Sequence, residues 1–179
     1  MMLRRVRRLL ACRLAERRAG RLSARDRRFA EDFENRGFIE ALRQRPLRAD
    51  AMAVDAHYGY YGRRTLRERL AQDVVLPARS RYREVWLVGI SVGGPDHIAR
   101  ALLLAPYLGE TEWMWRWIRD QPAHPRLYLG YGSRDRFAAA NALFAGYLPP
   151  EHVLTAPGGH DWRTWRRLWQ DFLSMWTAR

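Results

Sequence analysis

From residue 31 onward, short apolar runs alternate with amphipathic stretches, which predicts an α/β fold with a mostly parallel sheet flanked by helices. Phe33, Phe38, Ile39 and Leu42 share one helical face and predict a helix over 31–45, stopped near Pro46. Ala51-Met52-Ala53-Val54 predicts a short strand. Thr65 and Glu68 have capping-box spacing ahead of Leu66, Leu70 and Val74, so a second helix is expected over 66–80. Val85-Trp86-Leu87-Val88-Gly89-Ile90 is apolar or small throughout, as a central parallel strand buried on both faces should be. Leu102 to Ala105, Leu127 to Tyr131 and Val153 to Thr155 predict three more strands, each ending in a loop with Gly or Pro. Trp162, Trp165, Trp169, Phe172 and Trp176 recur at helical spacing, an aromatic stripe expected in the core rather than around a cofactor.

Composition narrows the class. A chain of 179 residues, 47% hydrophobic and 12% aromatic, is long enough for one packed domain, and no apolar run reaches the roughly 18 residues of a membrane-spanning helix. Its 32 basic residues are all arginine, against 19 acidic ones, for a net charge of +13. Residues 1–28 hold 11 of those arginines against Glu16 and Asp26, so the charge is concentrated there and the rest of the chain is only mildly basic. The expected division is therefore an Arg-rich arm over 1–30, helical or without fixed structure, and an α/β domain over 31–179. Leu3, Val6, Leu10 and Leu14 give the arm helical periodicity, and its charge suits non-specific contact with an anionic surface rather than specific nucleic-acid recognition.

Cys12 stands alone, so no internal disulfide and no cysteine metal cluster is expected. Leu9-Leu10-Ala11-Cys12 has the shape of a lipoprotein processing site, but Arg7 and Arg8 cut its apolar run short of a signal-peptide core, and the expected location is cytoplasmic.

The candidate chemistry begins right after the strongest strand. Gly89-Ile90-Ser91-Val92-Gly93 is a G-x-S-x-G at a strand-to-turn position, the pattern of a nucleophile elbow, in which a sharp turn exposes the serine hydroxyl and small neighbours avoid a Cβ clash. A serine hydroxyl is a weak nucleophile at neutral pH and needs a base, which in turn needs an orienting carboxylate. Asp135 follows the run at 127–131 and His160 follows the run at 153–155. The order Ser, Asp, His, each past the carboxyl end of a strand, is where open α/β sheets place ligands. Asp161 is a rival orienter next to His160, although consecutive side chains seldom meet. His57, beside Tyr58, is open to two readings, a pocket residue or a structural loop histidine, and Tyr107 is a third pocket candidate. No H-E-x-x-H or C-x-x-C spacing occurs, so neither a metal nor a cofactor is expected.

These segments, with Leu104-Ala105-Pro106-Tyr107-Leu108-Gly109, Gly130 to Phe137 and Pro157 to Trp162, resemble the α/β-hydrolase superfamily over residues 31–179, and are most similar to its small bacterial members. The resemblance implies Ser91 as nucleophile, His160 as general base and then acid, Asp135 as orienter and the Val92 backbone N–H as one oxyanion donor. It implies hydrolysis of an ester or related acyl bond of a small molecule through an acyl-enzyme, on a reduced core. The superfamily takes its second oxyanion donor from a loop after an earlier strand, which lies between those matching 51–54 and 85–90. No segment before residue 31 reads as that strand. Only Gly94 to Ala101 separate the elbow from the next run, so a stub replaces the usual crossover helix. These departures keep a second reading open, a catalytically impaired relative that binds a small ligand.

Overall fold

The computed structural model describes residues 8–10, 29–54, 65–90, 100–106, 108 and 126–177. The chain divides into two compact units, residues 1–86 and 87–179.

The first unit begins with a strand. β1 (Arg8–Leu10) is followed by α1 (Phe29–Asn35), α2 (Phe38–Arg43), β2 (Ala49–Ala51), α3 (Leu66–Leu70), a π-helical stretch over Ala71–Val75, α4 (Leu76–Arg79) and the start of β3 (Glu84–Ile90). β1 pairs in parallel with β2 on one side and with β3 on the other, Leu9 opposite both Asp50 and Val85. This corrects the expectation that no strand precedes residue 31. Three residues suffice for the ladder because it is made by backbone groups, and a run that short between arginines leaves no apolar pattern to read.

The helix expected over 31–45 is two short helices. Gly37 adopts the left-handed conformation, φ 77°, that ends α1 and starts α2, and the Phe33 and Phe38 rings meet edge to face across the break at 5.3 Å. The strand expected at 51–54 is displaced to 49–51: Ala53 and Val54 are buried but lie outside the ladder, so their apolar character marks burial and not pairing. The helical run expected over 66–80 is observed over 66–79, with a π-helical stretch in its middle.

The second unit holds the end of β3 with β4 (Arg100–Leu104), β5 (Arg126–Gly132), α5 (Ala138–Ala145), a 3-10 turn at Pro150–His152, β6 (Val153–Ala156) and α6 (Trp162–Thr177). The strands run parallel in the order β3-β4-β5-β6. β3 and β4 are neighbours although only residues 91–99 join them, a connection below the dozen residues typical of a crossover. Side chains alternate between the two faces. Ala101, Leu103, Leu127 and Leu129 pack with Phe144 of α5, while Tyr128 meets Phe172 of α6 edge to face at 5.3 Å. Helices thus cover both faces, and Leu102, Leu103 and Leu104 are at most 1% exposed, each contributing about 1.5–3 kcal/mol over an exposed position. The aromatic stripe of α6 is core over most of its length: Trp165, Trp169, Phe172 and Trp176 are buried, while Trp162 at its start is half-buried. Among the described residues no helix is long and apolar enough to cross a membrane.

Candidate active site

Parallel strands end together. Ile90 is in register with Leu104, Leu104 with Gly130, and Gly132 with Ala156, so the carboxyl ends of β3, β5 and β6 share one edge of the second unit's sheet. The residues expected to carry chemistry follow those ends in sequence. Ser91 comes directly after Ile90, but Ser91 and Val92, with the pocket candidates His57, Tyr58 and Tyr107, lie outside the described residues. Asp135 and His160 are described, and they meet.

His160 Nδ1 lies 2.9 Å from Asp135 Oδ2 and 3.1 Å from Oδ1. An ionised carboxylate only accepts, so the pair requires the proton on Nδ1 and leaves the Nε2 lone pair as the basic atom of a neutral imidazole. The Asp135 side chain is fully buried and that of His160 is 12% exposed. The Phe137 N–H donates to Asp135 Oδ1 at 2.8 Å, giving the buried carboxylate a second donor and fixing its plane.

Backbone hydrogen bonds hold the two loops together. Ser133 N–H donates to Ala156 O at 2.8 Å and Arg134 N–H to Gly158 O at 2.9 Å, continuing the β5–β6 ladder into the turns that carry Asp135 and His160. Such close approach needs glycine: a β-carbon on Gly132 would overlap the Gly158 carbonyl, and Gly158 itself has φ 147°. The imidazole is then gripped by two rings. Phe137 and Trp165 each meet it edge to face, with centroids 5.0 and 4.9 Å away.

The rival carboxylate has other work. Asp161 Oδ1 accepts the Thr164 N–H at 2.9 Å and the Thr164 hydroxyl at 3.2 Å, which makes Asp161 the N-cap of α6. The Thr164 N–H is the largest cause of a pKa lowered from the ordinary value; burial opposes it, and the Thr164 hydroxyl and the Arg163 and Gly159 N–H groups add to the lowering.

Three supporting residues were not predicted. Phe137 and Trp165 clamp the imidazole, and Trp165 was assigned only to the aromatic stripe. Asn141, fully buried on α5, donates from Nδ2 to Phe137 O at 2.9 Å and to Pro106 O at 3.4 Å, tying the Asp135 turn to the segment after β4. That segment begins with Ala105 at φ 46°, whose N–H donates to Gly130 O at 2.7 Å. A lone polar residue in an alanine-rich helix, Ala138-Ala139-Ala140-Asn141-Ala142, was the available signal for Asn141. Among the described residues no three His, Cys, Asp or Glu side chains converge to hold a metal.

No protein-family model matches the chain, and no curated protein matches it. Solved structures do. S-formylglutathione hydrolase from Staphylococcus aureus, an apoenzyme crystal structure, is similar over 97% of this chain and 81% of its own, with TM-score 0.63 and 14% identity. Its fold decides the matter. The chain has an α/β-hydrolase-type fold. The fluorophosphonate-binding serine hydrolase F of Staphylococcus aureus, in a substrate-bound structure, is also similar over 97% of this chain and 83% of its own, with TM-score 0.47 and 14% identity. In the α/β-hydrolase fold an early strand lies between those matching β2 and β3, and β1 has that position.

Proposed function

We propose that the protein is a serine hydrolase cleaving an ester or related acyl bond of a small molecule, with Ser91 as nucleophile, His160 as base and then acid, and Asp135 as orienter. The observation that carries this reading is the 2.9 Å contact between His160 Nδ1 and the buried Asp135 carboxylate at the sheet edge reached by the G-x-S-x-G sequence. Such a pair leaves Nε2 to take the Ser91 proton as Oγ attacks the substrate carbonyl. Asp135 then stabilises the imidazolium, and the Val92 N–H supports the developing oxyanion. Collapse of the tetrahedral adduct breaks the acyl–oxygen bond, and His160 returns its proton to the leaving alcohol. Water attacks the acyl-enzyme by the same route, releasing the acid and restoring Ser91.

The test is labelling by a neutral fluorophosphonate probe. Wild type is expected to label, and both Ser91→Ala and His160→Ala, shown folded by circular dichroism, are expected to lose labelling. A folded wild type that stays unlabelled sinks the reading in favour of an impaired, ligand-binding relative.

A further inference from the structure

The turn that carries Asp135 also carries two cations, Arg134 and Arg136, both exposed. Among the described residues neither guanidinium has a carboxylate within ion-pair distance. The two carboxylates of these loops are committed elsewhere, Asp135 to His160 and Asp161 to the cap of α6. Arg136 is nonetheless held in place. Its guanidinium carbon sits 4.8 Å from the centroid of the Phe137 ring, a cation–π contact, and the same ring meets His160, 5.0 Å away.

This arrangement keeps a permanent positive charge at most about 10 Å from the imidazole, against a ring that also meets it. Arginine offers parallel N–H donors suited to a planar oxyanion.

We propose that Arg136 is a specificity residue that gives the site a preference for esters whose acyl part ends in a negatively charged group a few bonds from the scissile carbonyl. The inference rests on the hydrolase reading above. Arg134 adds to the same positive field without a comparable anchor.

Two esters of equal length separate charge from shape: monomethyl glutarate, with a terminal carboxylate, and methyl valerate, with a methyl group there. Acid release is followed by pH-stat in low salt, and fluorophosphonate labelling is run on the same samples. Wild type is expected to favour monomethyl glutarate in kcat/KM by about tenfold, a preference that shrinks as sodium chloride rises. Arg136→Gln is expected to bring the ratio close to one and Arg136→Glu to invert it. A labelled wild type without charge preference, or a preference that neither substitution moves, overturns this inference and leaves the hydrolase reading standing. A folded wild type that is unlabelled and cleaves neither ester overturns both.

Discussion

Gly158 and Thr164 stand so close that a β-carbon at position 158 would overlap the Thr164 hydroxyl. That hydroxyl belongs to the cap of α6, and Gly158 O accepts the Arg134 N–H, so one crowded point joins the His160 loop, the Asp135 turn and the helix start. Gly158→Ala adds the clash to a φ of 147° that alanine rarely adopts. It is expected to cost about 1–3 kcal/mol in urea denaturation and to abolish fluorophosphonate labelling. Gly159→Ala is the control. A β-carbon there meets its nearest atoms at 3.5 Å, ordinary contact, and stability is expected to stay within about 0.5 kcal/mol of wild type.

Asp135 pairs with His160 while Asp161 caps α6, and substitution should tell the two carboxylates apart. Asp135→Asn keeps the shape but replaces an acceptor with an amide that can hold the imidazole in the wrong tautomer. Turnover of an activated ester is expected to fall about 10³- to 10⁴-fold with the fold intact. Asp161→Asn keeps a good N-cap, with its hydrogen bonds directed at Thr164, so turnover is expected to change less than about threefold. Equal losses from the two substitutions would refute the division of roles.

Asp161 also gives a pH dependence whose sign is fixed. Its pKa is lowered by the Thr164 N–H and hydroxyl, so the folded state holds its proton less tightly than the unfolded chain, where the ordinary value is 3.8. The charged cap therefore stabilises the fold above that value, and the contribution is lost as pH falls through the lower folded-state pKa. Asp161→Ala is expected to cost about 1 kcal/mol at pH 7 in denaturant titrations. The gap between variant and wild type is expected to narrow below pH 4. A gap that stays constant down to acid unfolding would show that the carboxylate's charge is not what caps α6.

The legible parts of the chain are those where one physical requirement repeats. Ala101 to Leu104 and Leu127 to Leu129 are buried on both faces, so continuous apolarity announced β4 and β5, and the 3-4 spacing from Trp162 to Trp176 announced α6. Asp135 and His160 were legible because a turn after a strand must carry any chemistry the edge performs. What escaped was set by backbone groups or by contacts distant in sequence. β1 is three residues of ladder without a side-chain pattern, and the break at Gly37 depends on a left-handed φ. Asn141 gains its role only when α5 brings it to Pro106, 35 residues away. The Phe137 and Trp165 clamp on His160 needs two loops and a helix assembled first.

Within the Arg-rich start of the chain, β1 ties Arg8–Leu10 into the ladder of the first unit, and this can be tested at one residue. Leu9 is the middle of β1 and is paired on both sides, with Asp50 and with Val85. Proline at that position removes a backbone donor and fixes φ in a strand that has a neighbour on each flank, where proline is not tolerated. Leu9→Pro is therefore expected to lower stability by about 2–3 kcal/mol, read as a lower urea midpoint. Leu9→Val, which keeps the N–H and favours extended backbone, is expected to stay within about 1 kcal/mol. If residues 1–30 were only a charged tail, both variants would unfold at the wild-type midpoint, because a tail has no ladder to lose.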